Sequence, residues 1–258
     1  MLSRVEELEQ IYILDSLPDG KIRASRRALE EVEAMNKRSI NENPIPWNER
    51  NYENMKISSL NCMNLKNSHI DLQQDETILK STIIALTETW LDITELEIDG
   101  YKSHFNSIGP GKGIAVYIQD DNFKPTLDIK QEKMQLTKVE SQELEIIIVY
   151  RSEQGNTSEL LSNLQNMIRH DVATVICGDF NICYQATRNN RITKYLENNG
   201  FTQSVREPTH IKGRQIDHFY FKQGNNFPEN PIISRYSPYY SDHDAICATL
   251  KKIENNLA

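Results

Sequence analysis

The sequence predicts an α/β domain over residues 55–258, rich in strands with a few helices. Three observations predict it. Short apolar runs recur from Met55 onward, most of them stop on a polar residue, and capped amphipathic segments fall between them. Residues 1–54 follow another pattern and read as a helical extension and linker.

In that first zone, Ser3 and Glu6 have capping-box spacing ahead of Leu8, Ile11, Ile13 and Leu14. Asp15 to Lys21 contains Pro18 and Gly20 and reads as a turn. Ala28, Leu29, Val32 and Met35 then recur at helical spacing, and Asn41 to Asn54 is a polar, Asn- and Pro-containing strap. The strands expected in the second zone are Lys56–Leu60, Thr82–Thr87, Gly113–Ile118, Leu136–Val139, Leu144–Tyr150, Ala173–Cys177, Gln215–Phe221 and Ala245–Leu250. One helix is expected after Asn156, with Glu159 at N3 and Leu160, Leu161, Leu164, Met167 and Ile168 on its apolar face. A second runs from Ile192 to Leu196 and stops at Asn199-Gly200, a C-cap signal.

Composition narrows the function. The chain has 258 residues, with 29 Lys and Arg against 37 Asp and Glu, for a formal charge of −8. Residues 1–54 hold 8 basic and 11 acidic side chains, so −3 lies there and −5 in the remainder. A 38% apolar content and a mean hydropathy of −0.60 still allow a buried core, which argues against full disorder. No apolar run approaches the ~18 residues of a membrane span, and the acidic start MLSRVEELEQ has no signal-peptide core. Cys62, Cys177, Cys183 and Cys247 have no CxxC spacing, which disfavours zinc and disulfide scaffolds and fits a reducing compartment. The negative balance argues against binding nucleic acid by charge alone.

Polar residues collect at the strand ends. KISSL stops at Asn61, TIIALT at Glu88 and EIIIVY at Tyr150. ATVICG runs into Asp179-Phe180-Asn181, RQI meets Asp217-His218, and Ser241-Asp242-His243-Asp244 precedes the last strand. Strand ends are where an α/β scaffold presents reactive groups, because rigid backbone there feeds an open loop. Several carboxylates, two carboxamides and a histidine, with no cysteine cluster, suit a hard cation such as Mg²⁺ or Mn²⁺. The matching reaction class is metal-assisted hydrolysis of a phosphate ester.

The ordered motifs SLNCMNL (59–65), LTETWL (86–91), GKGIAVYI (111–118), VYRS (149–152), CGDFNI (177–182), QIDHFYF (215–221) and SDHDAI (241–246) resemble the endonuclease/exonuclease/phosphatase superfamily. They span most of the chain. The LTETWL and GKGIAVYI forms resemble its mobile-element branch, found in non-LTR retrotransposons. Residues 24–47 resemble the segment preceding such a domain in Helitron-type proteins. The resemblance implies a four-layered α/β sandwich, two packed mixed sheets flanked by helices. It implies Glu88, Asn61 and Asp242 on the metal side, with Mg²⁺ as cofactor and Mn²⁺ able to substitute. It implies Asp179 activating the attacking water and Asn181 holding that water or the phosphate. His243 is implied at the scissile phosphate, oriented by Asp217, with Tyr150 donating to the phosphate or leaving oxygen. The products implied are a 5′-phosphate and a 3′-hydroxyl. The partner implied is DNA, with no membrane, alongside other domains of a larger transposon protein, in a nuclear or otherwise intracellular enzyme. Where relatives have Pro and then Asn after the tyrosine, this chain has Arg151-Ser152-Glu153, and Arg151 is expected to meet the DNA backbone.

Plainer readings stand beside these. Gly-Asp-Phe-Asn is good turn chemistry, Glu88 could be a salt-bridged strand end, and Tyr150 could be only core. Trp90 and Tyr184 could stack on a base or pack inward. Arg188, Arg191, Lys194, Arg206, Lys212 and Arg214 could flank a DNA path or form a solvated face. His69, His104, His170 and His210 show no partner pattern and read as ordinary; His218 and Asp244 read as structural. The leading function is a metal-dependent DNA endonuclease. The alternatives are the same site acting on RNA or another phosphoester, and a silent fold that binds nucleic acid or protein.

Overall fold

The computed structural model describes residues 54–91, 96–185, 190–227 and 229–252. The helices expected in the first zone, and Arg188, lie outside the described residues.

Among the described residues, twelve strands form two six-stranded mixed sheets. In chain order the strands are β1 (Asn54–Asn61), β2 (Ile83–Thr87), β3 (Lys102–Asn106), β4 (Ile114–Ile118), β5 (Lys124–Gln131), β6 (Met134–Glu140), β7 (Leu144–Arg151), β8 (Ala173–Asp179), β9 (Thr202–Gln203), β10 (Asp217–Lys222), β11 (Ile232–Tyr236) and β12 (Ala245–Lys251). The first sheet has the order β11-β12-β1-β2-β4-β3 and the second β5-β6-β7-β8-β10-β9. Each contains one parallel pair, β1 with β2 and β7 with β8, and every other neighbour is antiparallel. The two sheets therefore repeat one polarity pattern. Asn61, Glu88, Tyr150, Arg151 and Asp179, all expected site residues, lie at the carboxyl ends of these parallel pairs.

Alternation along the strands builds the layers. Ile57, Ile83, Ala85 and Ile246 from one sheet and Ile146, Ile148, Val175 and Phe219 from the other fill the space between the sheets. The other side of the second sheet, with Ile147, Val149, Ile176 and Tyr220, packs against α2 (Thr157–Met167) and α3 (Arg191–Asn198). The outer side of the first sheet packs Leu60, Ile84, Leu86 and Tyr117 against α1 (Leu65–Leu72). The result is the expected four-layered sandwich. Full burial of each such side chain contributes roughly 1.5–3 kcal/mol.

The helix ends follow the expected capping. Asn156 Oδ1 accepts from Ser158 N at 2.8 Å and Glu159 N at 3.3 Å. At the end of α3, Gly200 takes φ +83° while Phe201 N donates to Leu196 O at 3.0 Å. All eight expected strands are present, five of them longer than expected and three one residue shorter. Helix α1 was not expected, because LKNSHIDL buries Ser68 and Asp71 along with Leu65 and Leu72 and so lacks an apolar stripe.

Gly178 controls the approach to Asp179. Its φ is +123°, and a Cβ there would stand 2.1 Å from Val149 O. Only glycine lets β8 take this conformation against β7 immediately before the site.

Candidate active site

Parallel pairing places Asn61 opposite Thr87, next to Glu88, at one end of the first sheet. In the second sheet Asp179 is flanked in register by Tyr150 and by Asp217. The antiparallel entry into β12 brings Ser241, Asp242 and His243 back to the same end. Two hydrogen bonds then cross between the sheets. Asn61 Nδ2 donates to Asp179 Oδ2 at 2.9 Å, and His243 Nδ1 pairs with Asp217 Oδ2 at 2.8 Å. Ser241 Oγ donates to Asn61 O at 2.6 Å and accepts from His243 N at 3.0 Å, which ties the histidine loop to β1.

Asp179 is 1% exposed and its carboxylate is fully engaged. Asn181 N donates to Oδ1 at 2.8 Å and Asn181 Nδ2 to Oδ2 at 3.2 Å, beside the bond from Asn61. Asn181 reaches this position with φ +48°, a left-handed conformation that asparagine tolerates. Its amide also donates to Arg151 O at 2.8 Å.

Burial pushes the Asp179 carboxyl up to about 8, and the neighbouring Asp217 adds to the rise. For His243, burial opposes the charged form, but Asp217 outweighs it through charge and hydrogen bonding. The imidazolium is held up to about 9. Burial also raises Glu88, against hydrogen bonds from Asn61 and Trp90 and the charge of His243. Glu88 has φ +52° and Trp90 φ +55°, so the chain turns sharply as it leaves β2.

Several expected roles change in detail. The Asn61 amide nitrogen serves the Asp179 and Glu88 carboxylates while its Oδ1 accepts from Met63 N at 3.1 Å. Asn61 is thus placed as a donor between two carboxylates, with its oxygen engaged by Met63 N. Tyr150 OH donates to Gly111 O at 2.9 Å and stands against Glu88, so it braces the β3–β4 loop. Arg151 does not reach outward. Strand β7 continues through it, paired with Met134, and the pleat turns its side chain to the helix side of the sheet. It is 5% exposed and donates to Ser152 O at 2.6 Å and Glu153 O at 3.3 Å, so in this structure the guanidinium holds the segment that follows β7. Tyr184 donates to Glu197 Oε1 at 3.2 Å on the α3 side. Trp90 is 37% exposed at the mouth. Arg191, Lys194, Arg206 and Lys212 are exposed, and Arg214 pairs with Glu153 at 2.6 Å.

Two residues were missed. Thr209 Oγ1 donates to Asp217 Oδ2 at 2.7 Å. His210, read as ordinary, meets the His243 ring edge-on at 4.6 Å and places Nε2 3.4 Å from Asp242 Oδ2. Of the carboxylates and imidazoles, His210, Asp242 and His243 form one group at metal-ligand spacing, and Asp179, Asp217 and His243 another. His218 is structural, as expected. It stacks on Phe180 at 4.6 Å, bonds Ile182 O at 2.8 Å, and burial lowers it to about 4.

The family profile that matches this chain is described as the Endonuclease/Exonuclease/phosphatase family, and it covers residues 59–243, well over half of the 258. The chain belongs to this family. No curated protein matches it in sequence. In fold this family member is similar to an AP endonuclease from Archaeoglobus fulgidus, at 15% identity and a TM-score of 0.61 over 75% of this chain and 98% of that one. It is similar to the endonuclease domain of TRAS1, a telomere-specific non-LTR retrotransposon, at 13% identity and a TM-score of 0.58 over 78% and 100%. D. rerio TDP2 complexed with single strand DNA product is similar at 14% identity and a TM-score of 0.55, over 77% and 99%. Among the described residues no helix is long and apolar enough to cross a membrane.

Proposed function

We propose that this family member is a divalent-metal-dependent DNA endonuclease whose catalytic unit is residues 55–258. The observation that carries the proposal is the pair of bonds between the sheets, Asn61 to Asp179 and His243 to Asp217, which draw a base, an acid and two asparagines into one buried cluster.

The residues fit a hard cation. Burial disfavours the charged form of Glu88, and Asp242 Oδ1 is buried without a hydrogen-bond partner, so both carboxylates have unmet demand that a bound ion would fill. Glu88 and Asp242 would hold Mg²⁺, with Mn²⁺ substituting, and Asn61 would keep Glu88 and Asp179 apart. Bound there, the ion lowers the pKa of water and offsets charge at the phosphoryl centre.

Asp179 accepts the proton of the attacking water in its ionised form, which a cation held nearby would favour over the protonated form that burial favours in the metal-free protein. Asn181, fixed by Arg151 O, orients that water or the phosphate. His243, kept cationic by Asp217, donates to a phosphate oxygen as charge develops. In-line attack on phosphorus with departure of the 3′ oxygen leaves a 5′-phosphate and a 3′-hydroxyl. The LTETWL motif and the fold likeness to TRAS1 support an origin in a mobile element. The test is plasmid nicking with Mg²⁺ by wild type, Asp179→Ala and His243→Ala. Nicking by wild type alone is expected, and equal nicking by all three would sink the proposal. A parallel panel of RNA and phosphomonoester substrates separates DNA cleavage from other phosphoester hydrolysis.

A further inference from the structure

His210 and Thr209 are adjacent, and each reaches a different carboxylate beside His243. Thr209 Oγ1 donates to Asp217 Oδ2, the acceptor for His243 Nδ1. His210 Nε2 lies 3.4 Å from Asp242 Oδ2, while Asp242 Oδ1 lies 3.8 Å from His243 Nε2. The backbones are joined too. Ile211 N donates to Asp242 O at 3.0 Å and Asp244 N to Thr209 O at 2.7 Å, so residues 209–211 run as a short antiparallel bridge along 242–244.

The tautomer of His210 is fixed by the chain itself. Lys212 N donates to His210 Nδ1 at 3.0 Å, so Nδ1 carries a lone pair and the ring proton resides on Nε2. A protonated Nε2 is a hydrogen-bond donor and has no lone pair for a metal. His210, Asp242 and His243 lie at metal-ligand spacing, yet His210 cannot ligate without giving up the Lys212 bond.

We propose that His210 is a positioning residue that clamps Asp242 by donating Nε2–H to Oδ2, leaving Oδ1 as the oxygen open to the metal side. Its function depends on the nuclease reading, but the approach of His210 to Asp242 does not. The clamp holds Asp242 against His243 in the absence of substrate, and its edge-on contact limits rotation of the His243 ring. Partners of ligating carboxylates typically change metal affinity by about 10- to 100-fold when removed.

Two measurements test this. The first uses metal-free wild type and Asp242→Asn in nitrogen-15 NMR. A His210 Nε2–H tautomer with a protected proton, whose protection is lost in Asp242→Asn, is expected; an Nδ1–H tautomer, or a proton indifferent to Asp242, would overturn the clamp. The second measures Mn²⁺ binding by calorimetry in wild type, His210→Ala, His210→Gln, Asp242→Asn and the double variant. His210→Ala should weaken Mn²⁺ about tenfold, His210→Gln should recover most of it by supplying an amide donor, and His210→Ala should add nothing to Asp242→Asn. Full Mn²⁺ affinity in His210→Ala, or additive losses in the double variant, would overturn it. So would tight Zn²⁺ binding that His210→Ala abolishes, because that makes the imidazole a ligand. If wild type neither binds Mn²⁺ nor cuts DNA, the nuclease reading and the metal-side role fall, and the NMR result alone decides the clamp.

Discussion

Replacing Asp179 with asparagine should stabilise the metal-free protein while abolishing nicking. The carboxyl is buried, sits beside Asp217, and is raised to about 8. At pH 7 the unfolded chain holds this group ionised while the folded chain holds it protonated. At ~1.4 kcal/mol per pH unit between its ordinary value and pH 7, that costs the folded state roughly 4 kcal/mol. Asparagine removes this cost but creates another. Three N–H groups, from Asn61 Nδ2, Asn181 Nδ2 and Asn181 N, converge on the two carboxylate oxygens. An amide offers one oxygen, so one donor meets an NH₂ group, at about 1–3 kcal/mol. The net gain is about 2 kcal/mol, or roughly 4–8 °C in Tm for a domain of this size. Because the folded pKa is raised, wild-type stability falls between about pH 4 and pH 8, and the advantage of the variant grows over the same interval. Thermal melts in EDTA at pH 5, 6, 7 and 8 measure it. An Asp179→Asn protein less stable than wild type at pH 7, or a pH-independent gain, would refute the assigned electrostatics.

Other outcomes follow from the same geometry. Asp217→Asn should lower the His243 pKa and cost about 3 kcal/mol. For a raised imidazole that loss is full below about pH 6.5 and vanishes as pH rises through about 9, which melts in EDTA can trace. Nicking by the same variant should fall about 100-fold or more. Lys138 is buried against Glu145 at 2.8 Å and Glu140 at 3.0 Å, so Lys138→Met should strand Glu145 and cost about 3–5 kcal/mol by urea unfolding, largely recovered by adding Glu145→Leu. Gly178→Ala should fail to yield stable protein, since its Cβ would overlap Val149 O; a soluble variant melting within a few degrees of wild type would contradict the strand packing. DNA affinity should be modest and fall steeply between 50 and 200 mM salt, measured by fluorescence anisotropy with Ca²⁺ in place of Mg²⁺.

The legible and illegible parts of the fold divide by position in the sheets. All eight strands readable from apolar runs are interior strands. The four that were not, β3, β5, β9 and β11, are the edges of the two sheets. Lys124–Gln131 is largely solvated and Ile232–Tyr236 has no fully buried residue, so neither carries an apolar run. The candidate cluster was legible because most of its residues lie at the ends of interior strands, where a sharp change from apolar to polar marks the boundary. Arg151 was misplaced because β7 runs one residue further than its apolar run, which turned a supposed loop residue into a buried one. Thr209 and His210 left no sequence signal because an isolated bridge outside any strand brings them to the site. The role of Asn61 changed for a similar reason. Which end of the carboxamide meets Asp179 depends on Met63 N, a contact made after the strand ends.

The central claim is that one buried cluster, built where both sheets end, hydrolyses DNA with a divalent metal. The direct measurement is an Mg²⁺-dependent plasmid digest with end chemistry determined for wild type, Asp179→Asn and His243→Ala. Expected are wild-type nicks that a polymerase extends without prior phosphatase treatment, absent in EDTA and in both folded variants. Nicking that survives EDTA, ends carrying a 3′-phosphate, or full activity in either variant would contradict it.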